Sequence, residues 1–174
     1  MHVLLTGSNG YIGKRLLIAL LKKGYKVTCL LRQKGLEIPK TYRNQVKVVY
    51  ANLLDKGQMS HQPSDIDYAY YLVHSMGEVK KGESLEELEK KSAENFVAYL
   101  SNTKIKQMVY LTGLVNDKDL SSHLRSRKRV EDYFLKSPIP VTCLRAGIII
   151  GSGSASFEII RDLVEKIPIM VTPK

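Results

Sequence analysis

A glycine-rich loop near the amino terminus has the residue types and spacing to hold a phosphate group. The stretch TGSNGYIG, residues 6–13, lies between a short apolar run and a run with helical spacing. Glycine allows a tight turn, lets the backbone approach a pyrophosphate, and permits close packing of helix on strand. The helix amino terminus adds unpaired N–H groups and positive potential. The loop predicts a dinucleotide site made of Gly7, Ser8, Asn9, Gly10, Tyr11, Ile12 and Gly13.

The residue that follows the second apolar run bears on which dinucleotide is bound. Arg32 ends the run KVTCLLR, about 20 residues after the glycine loop, where an acidic residue would hold the ribose 2′-hydroxyl of NAD. An arginine can instead make a forked, charge-assisted contact with a 2′-phosphate. Arg32 therefore favours NADP over NAD as the cofactor. The alternative is that Arg32 is a solvated charge at the end of a strand.

A second stretch, SSHLRSRKRVEDYF, concentrates basic residues and allows two interpretations. Arg125, Arg127, Lys128 and Arg129 fall within five positions. Arg125 and Arg129 would share one helix face, which could contact phosphates of a nucleic acid. However, no interleaved aromatic residues or known nucleic-acid motif accompany them. A nucleic-acid partner is the less favoured interpretation, and a solvated face with Arg127 turned inward is the plainer one.

The elements that must position these residues alternate along the chain. Short β runs are predicted at residues 2–6, 26–32, 46–51, 67–73, 107–113 and 141–150, and helical runs at 11–23, 84–100, 124–135 and 156–167. Ser84 and Glu87 match a capping box at the start of the second helix. The alternation predicts an α/β fold, a doubly wound parallel sheet (Rossmann fold) with strand order 3-2-1-4-5-6. The ligand crevice should lie at the carboxyl ends of strands one and four.

Composition sets wider limits on the function. The chain has 174 residues, 44% of them apolar, and a formal net charge of +10, which favours anionic partners without choosing among them. Cys29 and Cys143 lie in β-rich runs and are predicted to be buried thiols, and their spacing does not suggest a metal site. No apolar run approaches the length of a membrane span or resembles a signal peptide, so a cytoplasmic location is expected.

Several segments together resemble the extended and atypical short-chain dehydrogenase/reductases. The spacing TGxxGxxG is theirs, and YLVHSMG, HLRSR and IIIGSGSASFE resemble a bacterial subgroup of NAD-dependent epimerase or NmrA-like proteins. The resemblance implies that Asn52 and Leu53 contact the adenine. It also places Val73, His74 and Ser75 in the loop that passes beneath the cofactor. A solvent-facing role remains open for His74.

The resemblance also gives candidate catalytic residues. The family's active-site helix reads YxxSKxxxE, and over this chain its Tyr and Lys fall on His123 and Arg127, while YLTGL places Thr112 at the catalytic Ser or Thr. His123 could act as an acid or base near neutral pH. Arg127 could bind ribose hydroxyls, but it cannot lose a proton. The alternative is that His123 only lines the pocket.

Two functions follow from the resemblance. One is an NADP-dependent oxidoreductase or epimerase acting on an unknown small molecule. The other is a redox sensor or assembly factor that binds the dinucleotide without turnover, since the usual Tyr and Lys are exchanged. Extended members carry a further substrate-binding region after the sixth strand. Residues 1–174 are therefore expected to be an NAD(P)-binding domain without its carboxyl-terminal substrate lobe.

Overall fold

The computed structural model describes residues 1–59, 65–73, 84–114 and 121–167. Its elements alternate in the predicted manner. In chain order they are β1 His2–Thr6, α1 Tyr11–Lys22, β2 Lys26–Leu31, a 3-10 helix Lys40–Gln45, β3 Val46–Tyr50, β4 Tyr68–Tyr71, α2 Leu85–Leu100, β5 Gln107–Gly113, α3 Ser122–Leu135, β6 Val141–Ala146 and α4 Ala155–Lys166.

The six strands form one sheet in the order β3-β2-β1-β4-β5-β6. Every neighbouring pair is parallel. The predicted fold class and strand order are confirmed. The central strands are continuous apolar runs because helices cover both faces of a doubly wound sheet. The order reverses between β1 and β4, and a crevice forms beyond the carboxyl ends of these two strands.

Two apolar cores lie on the two faces of the sheet. On one face α1 packs through Leu17, Leu20 and Leu21. On the other, α2 and α3 enclose an aromatic cluster in which the Tyr71 ring lies 5.0 Å from the rings of Phe96 and Phe134. Burial of large aromatic rings contributes strongly to stability, so this cluster fixes α2 and α3 against β4 and β5.

The structure corrects some predicted boundaries. β4 is shorter than residues 67–73, and β6 ends at Ala146 instead of continuing to residue 150. Gly151 and Gly153 have φ values of 153° and 82°, so the chain beyond β6 turns instead of extending the strand. Ser84 is the N-cap of α2, but its side chain makes no capping hydrogen bond. It is Ser121 that caps α3, by accepting from the Leu124 amide.

The two predicted buried thiols differ in burial. Cys29 in β2 is fully buried, whereas Cys143 in β6 is only partly buried, because β6 is an edge strand of the sheet. α4 follows β6 and has no buried residue, and four of its apolar side chains are exposed: Ile159, Ile160, Leu163 and Val164. Within the described ranges, every helix is too short or too polar to cross a bilayer.

Candidate functional site

The glycine loop between β1 and α1 is folded tightly on itself. Gly7 has a φ of 69°, and a Cβ there would lie 3.0 Å from the carbonyl oxygen of Leu72, just after β4. A Cβ on Gly13 would lie 2.7 Å from the carbonyl carbon of Gly7 and nearer still to its oxygen. Gly10 donates to the Gly7 carbonyl at 2.9 Å. The first turn of α1 therefore rests directly on the loop.

Gly10 differs from the other two glycines because one side of it is open. A Cβ there would meet only the Gly7 carbonyl oxygen, at 3.2 Å, and Gly10 is exposed. Packing within the protein therefore does not explain glycine at position 10. The open side is where a pyrophosphate would approach the backbone.

The amino terminus of α1 has the features of an anion-binding site. Its N-cap, Gly10, supplies no side-chain hydrogen bond, and its first turn holds no acidic residue. The first helical bond runs from the Lys14 amide to the Gly10 carbonyl. The amides of Tyr11, Ile12 and Gly13 are therefore left without an intrahelical acceptor. These donors and the positive end of the helix dipole fit the pyrophosphate of a dinucleotide.

The side chains of the loop point in different directions. Ser8 is fully buried, and its hydroxyl lies beside the thiol of Cys29. Burial raises the pKa of the Cys29 thiol, and the Ser8 hydroxyl opposes that shift. Asn9 is exposed. The Tyr11 ring lies under the guanidinium of Arg15, 3.9 Å from its central carbon. Ser8 can therefore offer a ligand its backbone but not its hydroxyl.

The predicted adenine segment lies at the carboxyl end of β3. The side-chain oxygen of Asn52 accepts a hydrogen bond from the backbone amide of Leu54. The backbone amide of Asn52 donates to the side-chain oxygen of Gln58. The Leu53 carbonyl accepts from the Asn95 amide nitrogen on α2 at 2.6 Å. The turn is thus held by its own hydrogen bonds and by α2, on the same edge of the sheet as the glycine loop.

Other predicted residues stand at neighbouring strand ends. Arg32 immediately follows β2 and is exposed. Across the part of the chain that the structure describes, its guanidinium has no ion pair or hydrogen bond. Val73 lies beyond β4, partly buried against the core. His74 and Ser75 lie outside the described residues.

Thr112 and Arg127 come together at the carboxyl end of β5. Arg127 Nη1 would lie 3.6 Å from a Cβ on Gly113, so this guanidinium reaches back to the strand end. Thr112 is 2% exposed. Burial raises the pKa of Tyr110 to about 12, while the Thr112 hydroxyl and the Arg127 cation oppose the rise. Thr112 therefore faces Tyr110 beneath the surface instead of opening onto the crevice.

His123 lies one turn before Arg127 in the first turn of α3 and is partly buried. Between them, the Ser126 hydroxyl donates to Glu89 Oε2 on α2 at 2.6 Å and lies 3.0 Å from the His123 carbonyl oxygen. Ser126 is 1% exposed and Glu89 is 4% exposed. This buried link fixes the helical turn that carries both His123 and Arg127.

Glu89 was not a candidate from the sequence, although a signal was present. Leu85, Glu89, Ser92 and Phe96 follow helical spacing along α2. A carboxylate in that series would be buried against α3, and buried carboxylates need partners. The signal in the sequence is that Glu89 is the single acidic residue in a series whose spacing places its members on the inner face of α2.

A second buried carboxylate, Glu131 on α3, is paired across to β6. It is 2% exposed and accepts from Arg145, with Nε to Oε1 at 3.0 Å and Nε to Oε2 at 3.3 Å. Arg145 lies opposite Thr112 in the β5–β6 register. The Glu131–Arg145 ion pair links α3 to the edge strand β6, on the face of α3 that also carries Arg127.

Comparisons with known proteins agree with this geometry. A family model described as NAD(P)H-binding matches residues 7–165. A search of curated proteins found no match. Among solved structures, the chain is similar to UDP-glucuronic acid 4-epimerase from Bacillus cereus in complex with NAD. The identity is 20% and the TM-score 0.70, over 95% of this chain and 63% of that one.

Two further structures show the same fold. The enzyme WbmG from Bordetella bronchiseptica, in complex with NAD, is 16% identical with a TM-score of 0.68, over 83% of this chain and 52% of that one. UDP-glucose 4-epimerase from Thermotoga maritima, with UDP-glucose, is 15% identical with a TM-score of 0.65, over 83% and 55%. The chain thus spans between half and two thirds of each of these three proteins.

The family match covers most of the chain, including the glycine loop, α3 and most of α4. The NAD(P)-binding domain that the motifs indicated is confirmed by the family match, and the structural neighbours, which are 16% and 20% identical, show the same fold. The chain belongs to the NAD(P)H-binding family.

Proposed function

We propose that the chain binds NADP(H) along the carboxyl edge of its sheet and forms the nucleotide-binding part of an oxidoreductase or epimerase. The observation that carries the proposal is the first turn of α1. Three backbone amides there lack intrahelical acceptors, beside a glycine with one open side. Bound there, the cofactor would supply hydride transfer at its nicotinamide ring. The substrate would be a small molecule, and we propose that its binding lobe lies outside residues 1–174.

The choice of NADP rests on Arg32. Its exposed guanidinium follows β2, where the adenosine ribose lies in this fold, and it is available for a 2′-phosphate. The exposed Lys34 adds positive charge two residues later. A carboxylate at position 32 would instead repel the phosphate. Two of the structural neighbours are complexes with NAD, so this preference would distinguish the present chain from them.

We expect Arg32→Asp to weaken NADPH much more than NADH. Loss of a charge-assisted contact and gain of repulsion should cost about 2 kcal/mol, or roughly a 30-fold rise in the NADPH dissociation constant. The NADH constant should change by less than about threefold. Calorimetric titration of both dinucleotides measures the two constants directly.

Arg43→Asp is the matched control, because Arg43 is an exposed arginine in the 3-10 helix and the charge change is the same. It should leave both constants nearly unchanged. Equal weakening of NADPH and NADH by Arg32→Asp would show that Arg32 does not recognise the 2′-phosphate.

For the chemistry, the proposed roles follow from position. Arg127, at the carboxyl end of β5, would bind ribose hydroxyls and hold positive charge beside the nicotinamide. His123, one turn earlier and partly buried, would give or take the substrate proton. Thr112 has the weakest case for touching substrate because its side chain is 2% exposed.

A sensor without turnover is the second candidate. The observation that favours it is Arg127 at the carboxyl end of β5, where the resemblance predicts an active-site lysine, because an arginine cannot lose a proton as a lysine can. Such a protein would bind the dinucleotide and respond to its redox state. Titration with NADP, NADPH, NAD and NADH tests this, since a sensor must prefer one redox form.

We expect His123→Ala to separate the two functions. If His123 is the proton donor, turnover should fall about 100-fold or more, while NADPH affinity changes little. Arg127→Ala should weaken NADPH in either case, because a ribose contact does not require chemistry. The assay is NADPH oxidation with a panel of carbonyl and nucleotide-sugar substrates. An active protein indifferent to His123→Ala would contradict the catalytic role. Absence of turnover with a strong redox preference would establish the sensor.

A further inference from the structure

The charge of the chain is concentrated in one half of the molecule. Residues 1–59 contain eleven lysines and arginines but two acidic residues, so this part has a net charge of +9. Residues 60–174 contain sixteen basic and fifteen acidic residues, a net charge of +1. The first 59 residues form β1, α1, β2, the 3-10 helix and β3, which make up one half of the sheet and its flanking elements. Nearly all of the net charge of +10 therefore belongs to this half.

Five of these cations collect at the amino-terminal end of the strands. β1, β2 and β3 are parallel, so α1 must return the chain from the carboxyl end of β1 to the amino end of β2. The carboxyl end of α1, with Lys22 and Lys23, therefore lies near Lys26, the first residue of β2. The 3-10 helix returns the chain in the same way, which places Arg43 just before β3 and Lys47 at the start of that strand. These five residues are called the basic edge.

The charges of the basic edge are exposed and are not neutralised from within the protein. All five side chains are exposed, and among the described residues none of them makes an ion pair or a side-chain hydrogen bond. The two acidic residues of this half lie elsewhere. Glu37 lines a groove with Lys14 of the first turn of α1, and Asp55 follows β3. Asp65, which precedes β4 and borders this edge, pairs with His2. The basic edge is therefore available to an anionic partner.

The surroundings of these cations favour a lipid surface over a nucleic acid. Proteins that bind single strands place exposed aromatic rings among their cations, but the neighbouring Tyr25 and Tyr42 pack against the apolar core under α1. The cations come from the ends of a helix, a 3-10 helix and two strands, so they cover one end of the sheet instead of following a groove or a single helix.

An apolar side chain among the cations points the same way. Met1 is 55% exposed, and its carbonyl oxygen accepts from the Lys26 amide at 3.1 Å, so it lies within the basic edge. An exposed apolar group is stabilised when it enters the headgroup region of a bilayer. It gains nothing comparable on a phosphate backbone, which a protein contacts through its cations and hydrogen-bond donors.

We propose that the basic edge docks the protein onto a membrane surface that carries anionic lipids. Each lysine or arginine held near such a surface raises the affinity about fivefold, so five together would contribute a factor on the order of 10³. β2 has six residues, which places its two ends roughly 17 Å apart. The glycine loop and Arg32, at the carboxyl end, then face away from the bilayer. A dinucleotide and a membrane are thus held at opposite ends of one sheet.

The first test removes two charges from the basic edge. Lys23→Gln with Lys47→Gln should weaken binding to vesicles of mixed phosphatidylcholine and phosphatidylserine about 25-fold, because two of the five charges are lost. Cosedimentation in about 0.1 M NaCl measures the affinity. Vesicles of phosphatidylcholine alone should not bind. If the unaltered protein did not bind the mixed vesicles, the proposal would be wrong.

Lys91→Gln with Lys136→Gln is the matched control. Both lysines are exposed, the change in net charge is the same, and Lys136 is the C-cap of α3 as Lys23 is of α1. The control pair should weaken vesicle binding by less than about twofold, because these charges lie outside the basic edge. Equal weakening by the two pairs would mean that net charge alone attracts the protein, and would overturn the docking surface.

The second test maps the docked surface on the unaltered protein. Its lysines are acetylated with and without the mixed vesicles, and the modified positions are measured by mass spectrometry. The four lysines of the basic edge should react at least about threefold more slowly on vesicles, because the bilayer covers them. Lys91 and Lys136 should react at the same rate in both samples. Protection of Lys34, near the carboxyl end of β2, in place of the basic edge would contradict the orientation.

A third measurement distinguishes the lipid partner from a nucleic acid. Fluorescence anisotropy with single-stranded and duplex DNA, at the same salt concentration, should give affinities that the basic-edge pair and the control pair lower equally. DNA binding that is lost only in the basic-edge pair, together with no vesicle binding by the unaltered protein, would assign the surface to a nucleic acid and overturn the lipid partner.

The docking surface and the dinucleotide site can fail independently. Lys23→Gln with Lys47→Gln should leave the NADPH dissociation constant unchanged. Arg32→Asp should raise that constant and keep vesicle binding within about twofold of the unaltered protein. Loss of vesicle binding in Arg32→Asp would mean that the membrane contacts the carboxyl end of the sheet, against the proposal. Vesicle binding by a protein that bound neither NADPH nor NADH would support the docking surface while the proposed function failed.

Discussion

Gly13→Ala should destabilise the protein by about 3 kcal/mol or more, even though alanine is the better helix former by about 1 kcal/mol. The added methyl group would lie 2.7 Å from the Gly7 carbonyl carbon and 2.8 Å from Ser8 Cα, which are backbone atoms that cannot rotate away. Either α1 or the loop must move. The midpoint of thermal unfolding should fall by roughly 6–12 °C, measured by circular dichroism. Dinucleotide binding should be lost together with the loop geometry.

Gly10→Ala is the matched control within the same motif. Its methyl group would meet only the Gly7 carbonyl oxygen, at 3.2 Å, and its φ of −78° suits alanine. Stability should change by less than about 1 kcal/mol, whereas dinucleotide affinity should drop because the methyl group stands on the open side of the loop. If Gly10→Ala and Gly13→Ala lost equal stability, the distinction between Gly13 as a packing residue and Gly10 as a ligand-facing residue would be refuted.

Arg145→Leu, outside the glycine loop, should strongly destabilise the protein. It would leave the carboxylate of Glu131, 2% exposed, without the bidentate partner that it has now. Breaking a buried ion pair from one side costs about 3–5 kcal/mol; about half of the Arg145 side chain stays in water, so the lower figure of about 3 kcal/mol is expected. Urea unfolding gives the value.

The double variant Arg145→Leu with Glu131→Leu distinguishes a lost attraction from a stranded charge. Replacing both partners by apolar residues removes the uncompensated carboxylate, so most of the stability should return. If the double variant is as unstable as Arg145→Leu alone, the damage comes from the edge strand and not from Glu131.

The sheet and the glycine loop could be predicted because their signals are local. The spacing of glycines between an apolar strand and an amphipathic helix places Gly7, Gly10 and Gly13 without reference to the rest of the chain. The alternation of β and helical runs then limits the topology to a few orders, because parallel crossovers have a fixed hand. The carboxyl-terminal ends of β4 and β6 were harder to predict from the sequence. Apolar residues continue beyond Tyr71 and Ala146 although the strands end there, so hydropathy does not give these boundaries.

The hydrogen bonds that hold the site in place could not be predicted, because they join residues that are distant in the sequence. Glu89 and Ser126 are 37 positions apart, and Arg15 and Ser152 are 137 apart. In the sequence, GSGS belongs to a segment that resembles the family and Tyr11 to a glycine motif, and neither pattern predicts a contact between them. It is the strand order that brings the segment after β6 over the first turn of α1.

The pairing of β1 with β4 has a consequence for how the protein folds. Val3 pairs with Tyr68, and Gly7 packs against Leu72, so one side of the proposed pyrophosphate site comes from a segment 65 residues away. Contacts of this sequence separation form late, because a long loop must close before they stabilise anything. An emerging chain that ends before β4 would hold the whole TGSNGYIG sequence and still lack the pocket. The dinucleotide can therefore stabilise the finished sheet, but it cannot nucleate its assembly.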